Sequence, residues 1–312
     1  MAFFQSLRAL FTGSGSAAAT NDLSFGLVDA LAVKPMLEQK QWQAFEKVAL
    51  GLAPDELTRL LDGLCLSDYY DPLLGQYQKS GTSELRRLVA AVHATFRAWE
   101  ARSGAYAREL SQQQIDGFSH YLAQAHAQLM QPFATPVLQA QAAARLVRVA
   151  MGLGNPELAR AAYEQCVAMQ PTNLLAHIFY FNVLTPKWFG DEEALEDFVD
   201  EASDPNLRSL LQVMYLVELQ FIVDEETNIV KQEMRSKNQH RIKELLAKNP
   251  RIDDTLPSIY FNNYVACLSE NLEQTAIRNQ FLQALGNRIT IYPWAYFGLT
   301  PQAVRKLNPS VS

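Results

Sequence analysis

An all-α fold of antiparallel helical hairpins, stacked as a degenerate solenoid, is predicted by three observations. Helix start and stop signals recur along the chain, and each pair brackets an apolar-periodic segment. Clear strand alternation is absent. In the stretch Gly154 to Pro171, Ala159, Tyr163, Cys166 and Pro171 follow one another at helical spacing. That spacing sets a small residue, an aromatic and a second small residue on one face, then a proline that cannot donate the next backbone hydrogen bond.

The elements follow in order. Pro54-Asp55-Glu56 opens a helix, with proline in its first turn and acids near the positive end of its dipole. Thr82-Ser83-Glu84 opens a long helix that Ser103-Gly104 closes. Ser111 caps the next, which stops near Met130, before Pro132. Helices over 136–153 and 156–170 come next. Thr172-Asn173 caps a very apolar helix that ends near Thr185-Pro186. A short acidic helix over 191–202 and an apolar one from Asp204-Pro205 to Ile222 follow. A polar helix runs from Asp224 or Glu225 to about Lys248, and a last pair covers 257–270 and 272–285. Short connections between such helices favour antiparallel neighbours.

The spacing at Ala159, Tyr163 and Pro171 is that of a tetratricopeptide-like hairpin, and Ala194, Phe198 and Pro205 echo it with the proline one residue early. Val147 and Phe181 stand where a regular repeat places glycine, so the repeats are degenerate. Residues 1–22 read as a short amphipathic segment with a flexible linker. Residues 23–131 read as an N-terminal helical subdomain, 136–300 as the repeat domain and 301–312 as a C-terminal tail. In the first segment Phe3, Phe4, Leu7, Leu10 and Phe11 share one face, and a Gly/Ser/Ala-rich tether follows.

The run Leu184-Thr185-Pro186-Lys187-Trp188-Phe189-Gly190-Asp191, followed by an acidic helix, resembles a poorly characterised group of bacterial helical-repeat proteins. That group carries a Leu-x-Pro-(Arg/Lys)-Trp-x-Gly stretch. The resemblance implies a tetratricopeptide-like fold and names neither a substrate nor catalytic residues. In physical terms the proline ends one helix, Trp188 plugs the hairpin, Gly190 permits a tight turn and Asp191 begins the next helix. A direct partner contact by Trp188 is the alternative.

Composition narrows the function classes. An apolar share of 48% suffices for a sizeable core, and a formal charge of −6 disfavours a general nucleic-acid binder. Cys65, Cys166 and Cys267 form no C-x-x-C pair and lie in apolar contexts, which suits buried free thiols in a reducing, cytoplasmic setting. No segment is long and apolar enough to be read as a membrane span. His120 and His126 are not spaced as helical metal ligands, and no nucleophile elbow or phosphate loop is legible. No catalytic residue, metal ligand or cofactor is therefore assigned, and small-molecule ligands stay open.

Two charged segments stand out: acids from Asp191 to Asp204, and bases from Lys231 to Arg251. Each reads as a solvated helix face or as a surface that steers a charged partner. The expected function is a non-enzymatic protein-binding scaffold: an adaptor, an effector chaperone or an immunity protein against a bacterial toxin. Its partner is a protein or peptide, with a basic one favoured by the charge. An enzyme with a carboxylate/histidine site and a nucleic-acid-binding regulator are the alternatives. The residues expected to meet the partner are Asn173, His177, Tyr180, Trp188, Asp191, Glu192, Asn262 and Asn263. Asn173, His177 and Tyr180 share a helix face, and asparagines in a first helix suit an extended peptide backbone.

Overall fold

The computed structural model describes residues 22–103, 109–225, 236 and 239–308. The N-terminal amphipathic segment, its tether and the start of the polar basic helix lie outside the described residues. Sixteen α-helices occur among the described residues, with no β-strand, as expected from the sequence. They are α1 Leu27–Ala30, α2 Val33–Glu38, α3 Trp42–Leu50, α4 Pro54–Leu66, α5 Asp71–Lys79, α6 Glu84–Arg102, α7 Gln112–Leu129, α8 Pro136–Gly152, α9 Pro156–Met169 and α10 Leu174–Val183. After these come α11 Glu192–Glu201, α12 Pro205–Glu225, α13 over 239–246, α14 Leu256–Asn271, α15 Thr275–Leu285 and α16 Pro301–Leu307. They group into two compact units, 22–191 and 192–308. The division falls inside the span 136–300.

Helix starts follow local chemistry. Ser83, Ser111, Asn155 and Asn173 each accept a hydrogen bond from a backbone N–H in the first turn of their helix. Each satisfies one of the donors that a helix N-terminus otherwise leaves unpaired. Proline occupies the first turn of α4, α8, α9 and α16, where its missing N–H costs nothing.

In the unit 22–191, α6 packs on α7, α7 on α8, and α8 on both α9 and α10. Small residues set the close approaches. A Cβ on Gly152 would come within 2.8 Å of the Leu122 side chain on α7. Ala159, Ala162 and Cys166 bury one face of α9, and Cys166 Sγ lies 3.4 Å from the Ala140 carbonyl on α8. The core is not wholly apolar. Arg145 on α8 meets Asp62 on α4 at 2.5 Å, and Gln141, one turn earlier, donates to Thr58 Oγ1 at 2.7 Å.

The loop 131–136 is fastened to α6. Glu84 accepts from the Ala134 N–H at 2.5 Å and from the Thr135 N–H and hydroxyl at 3.1 and 2.7 Å. Those donors, Ala134 first, hold its carboxyl below the usual carboxylate range. Arg87 donates to the Pro132 carbonyl at 2.6 Å and sits 4.1 Å over the Phe133 ring. This connection is a packed part of its unit.

In the unit 192–308, α12 packs on α11 and α14, and α14 packs on α15. Asn263 of α14 knots the far end together. Its amide donates to the carbonyls of Ile259 and Arg288, and its oxygen accepts from the Thr290 N–H and the Trp294 indole. Residues 301–307, read from the sequence as tail, form α16. It is capped by Thr300 and tied back through Asn308, which donates to the Leu282 carbonyl at 2.8 Å.

Candidate functional site

Three helices of the unit 192–308 surround an open groove of about 490 Å³. Helix α11 lines it with Glu196, Val199 and Asp200; α12 contributes Gln212, Tyr215 and Leu216. From α13 and the residues just after it come Arg241, Glu244, Leu245 and Lys248. On each helix these positions are spaced i, i+3 and i+4, the spacing of one helical face. Val199, Tyr215, Leu216 and Leu245 are buried and form an apolar floor, while the charged side chains stand at the rim.

The walls are held in place. Arg241 Nη1 meets Glu196 Oε1 at 2.8 Å, joining α13 to α11. Tyr215 donates its hydroxyl to Glu192 at 3.3 Å, and burial beside the Glu192 and Glu196 carboxylates pushes its phenol well above the usual range. Lys248 donates to Ser209 at 2.9 Å, and Arg251 to the Asn206 carbonyl at 3.3 Å, so the chain after α13 is pinned to the start of α12. Behind that segment Asn262 holds Arg251 by its backbone, accepting its N–H at 3.0 Å and donating to its carbonyl at 2.7 Å. Such a groove is formed before anything enters it, which lowers the ordering cost of binding.

The residues singled out from sequence divide between the units. Glu192 and Asn262 support the groove at one remove, through Tyr215 and Arg251. Asn263 is fully buried and engaged by the chain's own backbone and Trp294. In the other unit, Asn173 is the cap of α10 and is buried. His177 Nδ1 lies 2.8 Å from the Asn173 carbonyl, a bond that requires a proton on Nδ1. Its ring meets Tyr163 edge-on at 5.2 Å, and Tyr163 stacks on Tyr180 at 4.4 Å, so this trio packs α9 against α10. Asp191 is exposed.

Trp188 is half-buried, edge-on to Trp99 of α6 at 5.6 Å, with the Arg102 guanidinium 5.2 Å from its ring. The turn that places it folds back on α10: the Trp188 N–H donates to the Thr185 carbonyl, and the Phe189 N–H to that of Val183. A Cβ on Gly190 would overlap the Leu184 carbonyl, so only glycine fits there. The structure thus gives Trp188 a packing partner in α6.

The groove floor was not found from sequence. Helix α12 is apolar on nearly every side, so no face of it announces Tyr215 and Leu216. The acids of α11 stand out in the sequence, but only alongside partners from other helices do they define a site. No family model matches the chain, and comparison with curated proteins and with solved structures gives no significant match.

Proposed function

We propose that this chain is a non-enzymatic protein-binding scaffold built of tetratricopeptide-like hairpins, acting as an adaptor, an effector chaperone or a toxin-immunity protein. The observation that carries the reading is the preformed groove of α11, α12 and α13, with its apolar floor and charged rim. Apolar anchors with a polar rim are what protein recognition uses. The hairpin reading is supported by α8, which packs on the next helix and on the one after it, as stacked hairpins do. Three buried free thiols suit a reducing cytoplasm.

The test is a photo-crosslinking residue at Gln212, in the groove, compared with one at Ile115, which is exposed on α7 of the other unit. In native cells the scaffold reading expects one protein crosslinked at Gln212 and not at Ile115. Equal or absent crosslinking at both positions would contradict it.

A further inference from the structure

Resting on the scaffold reading, we propose that the groove takes an amphipathic α-helix from a protein partner, with Lys or Arg on the flank that meets α11. Two observations lead there. The first is shape. The groove is walled by three helical faces, each presenting side chains at i, i+3 and i+4. A fourth helix presents the same spacing and interdigitates with such faces. The walls offer no strand edge for an extended peptide to pair with, because helices satisfy their own backbone groups. Recognition therefore runs through side chains, with apolar anchors entering between Val199, Leu216 and Leu245.

The second observation is charge. Helix α11 carries Glu192, Glu193, Glu196, Asp197, Asp200 and Glu201 and no base. Glu196 is answered by Arg241 and Glu192 by the Tyr215 hydroxyl. Glu193, Asp197 and Asp200 are exposed and make no ion pair with described residues. The facing wall alternates Arg241, Glu244 and Lys248, so it favours neither sign strongly. A cation along the α11 flank gains attraction, and an anion there is repelled.

The test uses the full chain and two synthetic helical peptides of about fourteen residues, roughly four turns. They share one leucine stripe and differ only in a lysine or a glutamate flank. Fluorescence anisotropy should show the lysine peptide binding about tenfold more tightly, with the margin shrinking as salt rises. Asp200→Lys, at an exposed position, should narrow or reverse that preference without lowering the melting temperature. Gln212→Trp, at a half-buried lining position, should fill the groove and weaken both peptides. Equal affinity for the two peptides, or a preference that Asp200→Lys leaves intact, overturns the inference. So does higher affinity after Phe3→Asp with Phe4→Asp, which would make the chain's own N-terminal segment the occupant. A protein crosslinked at Gln212 through an acidic or extended segment overturns the helix and leaves the scaffold standing. Absence of any protein at Gln212 removes the scaffold reading itself.

Discussion

Arg241 on α13 and Glu196 on α11 meet at 2.8 Å, so the basic and acidic segments of this chain face one another across a single groove. Both side chains are nearly half exposed, and solvent screens the pair. Arg241→Ala should therefore change stability by less than about 1 kcal/mol in urea unfolding. A larger loss would mean that solvent screens this pair less than its exposure implies.

The buried pair Arg145–Asp62 behaves differently. Its side chains are only 3% and 11% exposed, and the ions lie between α8 and α4. Asp62→Ala leaves a buried guanidinium without its carboxylate and should cost about 3–5 kcal/mol. Asp62→Leu with Arg145→Met should recover much of that loss. Urea midpoints of the three proteins measure both effects, and a near-neutral single variant would show that water reaches the site.

Asn263 is the second weak point. Replacing it with alanine strips partners from the Arg288 carbonyl, the Thr290 N–H and the Trp294 indole. With buried groups left unpaired, Asn263→Ala should lose at least about 2 kcal/mol. Hydrogen exchange should then speed up across 287–297. Unchanged exchange there would place the stability of this segment elsewhere.

The three thiols give a pH signature. Burial pushes the Cys166 thiol up to about 12, and it raises Cys65 and Cys267 as well. The native protein should resist a thiol reagent at mild alkaline pH, and the unfolded chain should react at all three. In the unfolded chain these thiols ionise near their ordinary value of 9.0. The Cys166 contribution to stability is full below about 9 and fades as pH climbs towards about 12, while those of Cys65 and Cys267 persist to higher pH. A melting temperature flat across that window would contradict this.

Much of the helical layout was legible because it rests on local chemistry. Ser83, Ser111 and Asn173 cap helices where their side chains predict, and Gly190 makes the turn its position requires. What was not legible depends on distant partners. Nothing local indicates that Glu84 and Arg87 staple the loop after α7, or that Asn262 spends its amide on Arg251. The groove combines residues from three helices, and its central one, α12, has too little amphipathicity to show which side lines a site.

The most direct test of the central claim is hydrogen exchange on the full chain, alone and with the protein captured at Gln212. Binding in the groove predicts slower exchange across 192–201, 209–220 and 239–248, with little change across 84–183. Protection confined to 84–183, with the three groove helices unchanged, would contradict the account.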